Sequence, residues 1–587
     1  MKKIFKTLPL FLLCAPALAG CASKDTIVIR ILNSADYIYE AEKNEYYCDE
    51  CGDYVSRKSV KEVIDEETGE VTYECSDCGH EVYLDMNMTD AFELYMNDKY
   101  PGQKFKCVYD TFDTPETCYN QLKTGKSNYD VINVSDYMIQ KLITNNLVQP
   151  LFNDSEHSQE VEENLHNNLS KFLWGEETST FSNIYAKKEN SIEPDFDKVL
   201  GDYAIPYMWG TVGILYNSTF YKKTFSEEEC WDYFNSWDSI YDRKIVNTFS
   251  IKDSVRDTYA VSVLHVYKEE IEALKEKYHI GEEDAQNEEF NRELTVIFNR
   301  CDDKTLELVK ADMNKLKSNA FGFEVDSGKT DMVAGEKIGS NLAWSGDATW
   351  AIYEAATTVA KHVGDNNYTE EGKTKLHFIC PDEGSNIWTD AWAIPTVSNN
   401  REYALDFIDF MSEPENAVSN MDYVGYTTAS ASDAVLAYFL ELYDVRTYED
   451  DFPDEDYIEY DIRYFFEDCL DEFDIDDAVL HVWTPDTEAT FIEVEEGIEK
   501  EISYSVYNRM IYAQFPDAEF LPKLAIMDDY GNRNDAVLEM WQTIRTNPLP
   551  VWAIIVFALE GVIVIGLIVF TIVRNTQHKK IRQERVN

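Results

Sequence analysis

The chain has 587 residues, too many for one ordinary hydrophobic core, so more than one folded unit is expected. Hydrophobic residues at 44% and charged residues at 28% exclude a disordered chain. With 110 Asp and Glu against 52 Lys and Arg, the net charge of -58 argues against nucleic acid as a partner.

Residues 1–6 carry Lys2, Lys3 and Lys6, and residues 8–18 are a short apolar run ending in Leu18-Ala19-Gly20-Cys21. A basic start, a short apolar run and small residues make a secretory signal over residues 1–20. The ending resembles the bacterial lipobox, which implies cleavage before Cys21 and acylation of that residue. Residues 27–32 then read as a buried strand. Helices are predicted over 89–100 and 115–123, and strands over 104–109 and 129–134. This alternation, with apolar strands, predicts a parallel sheet covered by helices. The pattern resumes at 203–216 and at 342–394. Residues 269–317 are charged with helical period. An acidic insertion, 441–512, is densest in carboxylates over 441–477, with Tyr and Phe interleaved. Residues 549–573 are apolar apart from Glu560, long enough to cross a bilayer. The tail, 574–587, is basic, the cytoplasmic signature. The expected location is therefore the cell membrane, with an extracytoplasmic binding domain, a lipid anchor, one transmembrane helix and a cytoplasmic tail.

The segment 42–83 contains Cys48-Asp49-Glu50-Cys51-Gly52 and Cys75-Ser76-Asp77-Cys78-Gly79. Two C-x₂-C turns converging make a tetrahedral Cys₄ shell, so Cys48, Cys51, Cys75 and Cys78 are candidate ligands of a structural zinc in a ribbon. A pair of disulfides is the alternative in an oxidising compartment. Cys107, Cys118, Cys230, Cys301, Cys380 and Cys469 remain, and six cysteines allow fifteen pairings. No phosphate-binding loop, nucleophile elbow or H-E-x-x-H helix is present, so an enzyme is not expected.

Several segments together carry a family likeness. They are Tyr129-Asp130-Val131-Ile132-Asn133-Val134-Ser135-Asp136-Tyr137, Ile205-Pro206-Tyr207-Met208-Trp209-Gly210-Thr211, Leu342-Ala343-Trp344-Ser345-Gly346-Asp347-Ala348 and Pro381-Asp382-Glu383-Gly384-Ser385-Asn386-Ile387-Trp388-Thr389-Asp390. Ala393-Ile394-Pro395 and Gly425-Tyr426-Thr427 follow. In order and spacing the chain resembles the spermidine/putrescine-binding proteins of bacterial ABC transporters. The resemblance implies an α/β, two-lobed periplasmic-binding-protein-like fold with hinge crossovers, here with the zinc ribbon and transmembrane helix added. Lobe I is expected over 26–149 and 386–435, with the ribbon inserted at 42–83. Lobe II is expected over 150–385 and 436–547, with the acidic insertion at 441–512.

Carried over residue by residue, the resemblance places Tyr37, Ser135, Tyr137, Asp257, Trp344, Trp388, Asp390 and Tyr426 in the ligand cleft. The chemistry suits a polyamine. Aromatic faces hold methylenes and attract ammonium groups, and carboxylates accept their charged hydrogen bonds. Trp209 and Trp392 match no cleft position and are expected to pack. The chain departs from the family at Ser34-Ala35, where an aromatic is usual, and at Ser254, where a carboxylate is usual. Asp136 or Asp347 is expected to compensate. The implied function is capture of a polyamine and its delivery to an ABC transporter permease. The alternatives are another small cationic or polar solute in the same fold, or a cell-surface interaction protein using the ribbon and acidic region.

Overall fold

The computed structural model describes residues 26–546, apart from 42, 44, 49–50, 52, 65–70, 81, 126, 176–178, 326, 360, 363–373, 449–456, 486, 488 and 496–497. The described residues fall into two units, one ending at Asp535 and one beginning at Ala536. The signal at 1–20, Cys21, the apolar run at 549–573 and the tail at 574–587 lie outside the described residues.

In the first unit, apolar strands and helices alternate as their periodicity predicts. Strand Thr26–Ser34 pairs in parallel with Lys104–Phe112 along its length, and with Val131–Ser135 at Ile31 and Leu32. Helices Met88–Lys99 and Pro115–Lys123 provide crossovers. The second starts where Thr114 accepts a hydrogen bond from the Thr117 N–H, with Pro115 in the first turn, where no N–H is required. A second parallel set joins Phe249–Lys252 to Gly322–Glu324 and Ser340–Trp344.

Both sets belong to one 11-stranded sheet. One strand runs from one set into the other, with a second antiparallel beside it. Ala204–Asn217 is 14 residues long and buried throughout. Its residues 204–211 pair antiparallel with strand Ser385–Ala393, and its residues 212–216 pair antiparallel with Ser340–Trp344. Ser385–Ala393 in turn pairs with Leu524–Ile526 at one end and Val131–Ser135 at the other. The result is a two-lobed α/β architecture joined by crossover strands. The sheet is mixed, whereas the alternation predicted a parallel one, because the crossover strands run antiparallel to their neighbours. Their register shifts between Pro206 and Met208, beside a residue with no N–H for the ladder.

The helical stretch expected over 269–317 is three helices, Lys268–Lys277, Asn287–Phe298 and Asp303–Asn319. The acidic segment turns its aromatics inward. Phe465 is fully buried and stacks on Trp209 with ring centroids 5.5 Å apart, and the Tyr460 hydroxyl donates to the Phe515 carbonyl at 2.6 Å. Trp209 and Trp392 are both fully buried packing residues.

The second unit, as described, is the remainder of helix Asn534–Arg545, with Val537, Met540, Trp541 and Ile544 buried at i, i+3, i+4, i+7 spacing. The run at 549–573, expected to cross a membrane, lies outside the described residues. Among the described residues no helix is long and apolar enough to cross a membrane. The longest, Asp303–Asn319, has 17 residues and carries a charged face, short of the roughly 20 apolar residues a span requires.

Candidate functional site: a cleft at the crossover strands

Alternation along Ser385–Ala393 puts Trp388 and Asp390 on one face, two residues apart. The ladder places Asp390 opposite Ser135 and Met208, and Trp388 opposite Gly210. Ser135 ends its strand and begins helix Asp136–Thr144, which turns Tyr137 into the same region. Tyr37 follows the first strand. Trp344 ends the strand Ser340–Trp344, and Asp257 lies in the first turn of helix Val255–Val266.

Asp390 accepts the Tyr37 hydroxyl at 2.9 Å and the Ser135 hydroxyl at 2.6 Å. Asp257 accepts the Trp344 indole N–H at 3.2 Å and the Ser254 hydroxyl side chain lies against it. Neither carboxylate forms an ion pair among the described residues. Burial pushes the Asp390 carboxyl above its ordinary value; the Ser135 and Tyr37 hydroxyls oppose the shift and the Asp257 charge adds to it. Burial likewise raises Asp257, against the Ser254 and Trp344 hydrogen bonds and the Lys252 and Arg256 charges. The charge of the buried Asp257 thus bears on the partly exposed Asp390.

Aromatic rings surround them. Tyr426 meets Tyr37 edge-on at 5.7 Å and Trp388 at 5.3 Å. Burial raises the hydroxyls of Tyr37, Tyr137 and Tyr426 well above their ordinary value, so all three are neutral donors. Gly346 permits the approach of Tyr426. A Cβ there would lie 2.3 Å from the tyrosine ring. The Asp257 charge also raises the Tyr137 hydroxyl, so the eight residues are linked by hydrogen bonds, ring contacts or charge.

The two residues expected to compensate for the departures are otherwise engaged. Asp136 accepts backbone N–H groups of Tyr137 at 2.5 Å and Thr389 at 3.3 Å, and burial raises its carboxyl strongly. Asp347 binds Lys252 at 3.0 Å and Lys329 at 2.9 Å. Burial would raise the Asp347 carboxyl, but these ammonium groups hold it below its ordinary value.

Several cleft residues escaped the sequence reading. The buried Lys252 ammonium sits 4.1 Å from the Trp344 ring centroid and also donates to the Val325 carbonyl at 2.7 Å. Arg256 lies over Tyr137 at 4.5 Å and over Tyr530 at 3.7 Å. Glu116 accepts the Tyr137 hydroxyl at 3.3 Å. A lysine at a strand end reads as a surface residue, and only the fold covers it. Of the cysteines outside 42–83, Cys107, Cys118, Cys230, Cys301, Cys380 and Cys469 are all unpaired.

Comparison with known proteins gives a family. A family profile described as bacterial extracellular solute-binding protein matches residues 87–437, more than half of the chain. The spermidine/putrescine-binding periplasmic protein of Salmonella typhimurium strain LT2 is 23% identical over 325 residues, covering 55% of this chain and 70% of that one. The putrescine-binding periplasmic protein SpuD of Pseudomonas aeruginosa strain UCBPP-PA14 is 28% identical over 331 residues, covering 56% and 72%. Among solved structures, the spermidine/putrescine ABC transporter substrate-binding protein PotD from Streptococcus pneumoniae superposes with a TM-score of 0.45 at 18% identity, covering 88% of this chain and 99% of that one. The two sequence relatives are named as periplasmic proteins. These names overturn the expectation of a cell-membrane location with a cytoplasmic tail. A match across more than half of the chain shows that it belongs to the bacterial extracellular solute-binding protein family, whose members bind solutes rather than transform them.

Proposed function

We propose that the protein captures a polyamine of the spermidine or putrescine type and delivers it to an ABC transporter permease. The observation that carries this reading is the pair Asp390 and Asp257. Asp257 is buried and Asp390 partly exposed, each is fixed by neutral donors, and neither is in an ion pair among the described residues. An ionised carboxylate removed from water is costly unless a cation meets it. A ligand with two ammonium groups separated by methylenes satisfies both anions at once. Tyr37, Tyr137, Trp344, Trp388 and Tyr426 enclose the methylenes, and Ser135 orients Asp390. The names of the sequence relatives support the same solute class.

The test is titration calorimetry with putrescine, spermidine and spermine against a neutral diol of equal length. Binding of the amines and not the diol is expected. Equal affinity for the diol, or no heat with any of the amines, defeats the reading. A second reading, a cationic solute that also carries an acceptor, is favoured by one observation. The buried Arg256 Nη1 has no hydrogen-bond partner among the described residues. Tighter binding of ornithine than of putrescine would select it.

A further inference from the structure

The four cysteines of the inserted segment take no part in the cleft. Their Sγ atoms all lie within 4.8 Å of one another. Cys48 and Cys78 are 3.4 Å apart, and Cys51 and Cys75 are 3.9 Å apart. A tetrahedron with metal–sulfur bonds of about 2.3 Å has edges of about 3.8 Å. The cluster thus has the size of a tetrahedral tetrathiolate shell. Disulfide sulfurs approach to about 2.0 Å, and these four are unpaired.

The backbone around the second pair is shaped for thiolates. Gly79 N–H donates to the Cys75 carbonyl and Cys75 N–H to the His80 carbonyl, both at 2.8 Å. Gly79 takes a φ of 80°, a left-handed conformation that closes the turn at little steric cost. The N–H groups of Asp77 and Cys78 then point at Cys75 Sγ, and that of His80 at Cys78 Sγ.

The pairs also come from two separate small sheets. Cys48 ends strand Tyr46–Cys48, which pairs with Asp53–Val55 and Tyr83–Leu84. Cys75 ends the hairpin Val60–Ile64 with Val71–Cys75. Among the described residues the buried apolar ones here are Tyr46, Cys48, Val55, Cys75 and Val82, and two of those five are the cysteines themselves. A core this small does not hold two sheets together unaided. Outside it, the buried Asp85 accepts the Tyr54 hydroxyl at 2.5 Å and also the Tyr39 hydroxyl, two residues from Tyr37.

We infer that Cys48, Cys51, Cys75 and Cys78 hold one structural Zn²⁺, and that the inserted segment is a metal-dependent fold fastened to the Tyr37 segment through Asp85. Thiolates suit zinc, which accepts a tetrahedral shell and undergoes no redox change. Four protein ligands leave no open position, so the ion serves the fold and not a reaction.

The test uses the 587-residue chain purified under reducing conditions without added metal. Elemental analysis is expected to find about one zinc per chain, with near-complete loss in the C51S/C78S double variant. If that variant fails to fold, Co²⁺ exchanged into the unaltered chain reads the same site through a thiolate-to-cobalt charge-transfer band. On zinc removal, hydrogen exchange is expected to accelerate in Val60–Ile64 and Val71–Cys75, with Val131–Ser135 still protected. Disulfides among the four cysteines in metal-free native protein would overturn the site. So would zinc retained by the double variant. Stoichiometric iron overturns the choice of ion, and unchanged exchange after metal removal overturns the metal-dependent fold.

Discussion

Asp390→Asn separates binding from stability. In the ligand-free protein, Asp390 accepts two hydroxyls, from Tyr37 and Ser135, and has no ion pair among the described residues. Asparagine retains an acceptor for one of them and removes the charge. Burial raises the folded carboxyl above its unfolded value. A carboxyl shifted this way favours folding while protonated, and that contribution is lost as pH rises through the folded pKa. At neutral pH, above the unfolded value, the carboxyl therefore weighs against the empty fold, and the amide relieves it. Ligand binding runs the other way. A charged hydrogen bond from an ammonium to a fixed carboxylate is worth about 1.5–3 kcal/mol. Its loss weakens binding by about 10- to 150-fold. Calorimetry with putrescine and spermidine measures the affinity, and thermal unfolding without ligand measures stability. The expected result is a large rise in Kd with an unfolding midpoint unchanged or higher at neutral pH. A lowered midpoint with unchanged affinity would refute the reasoning and make Asp390 a structural residue.

Affinity for a diamine should fall as pH drops through the raised range of Asp390 and Asp257, because the ammonium groups require ionised partners; calorimetry in buffers of different ionisation enthalpy should show proton release on binding there, and pH-independent binding speaks against the carboxylate pair. Trp344→Phe keeps an aromatic face but removes the N–H that fixes Asp257 at 3.2 Å; a loss of about 1 kcal/mol in affinity is expected, read by the same titration, and no loss would mean that the hydrogen bond does not position Asp257. Gly346→Ala places a Cβ against the Tyr426 ring; an overpacking penalty of about 1–3 kcal/mol in stability and a several-fold rise in Kd are expected, and neutrality in both would show that Tyr426 is free to move. Asp347→Asn should lower stability with little effect on affinity, since two lysines already hold that carboxylate; a diamine affinity lost as fully as in Asp390→Asn would place Asp347 in the ligand shell.

Local signals account for much of this molecule. Helix Pro115–Lys123 has the bounds its Thr-Pro start and charged end predict, because a cap and a proline act over one turn. Trp388 and Asp390 share a face because strand alternation is a property of the backbone alone. The two Cys-x-x-Cys pairs announced their convergence through spacing, and the family likeness named eight residues that the fold brings near one another. Other features depend on contacts between segments far apart in the chain. Strand periodicity carries no information on direction, so the antiparallel crossovers had to come from the fold. Asp347 reads as a free carboxylate until Lys252 and Lys329 arrive from separate elements. Asp136 reads as a possible anion until the Thr389 backbone reaches it from 253 residues away. The acidic insertion reads as a carboxylate-rich stretch with interleaved aromatics, yet Phe465 stacks on Trp209. Sequence determined which short stretches become strands, helices and turns, because those choices are governed within a few residues. The tertiary structure decided which charges remain available to a ligand, because availability depends on burial and on partners that only folding brings within reach.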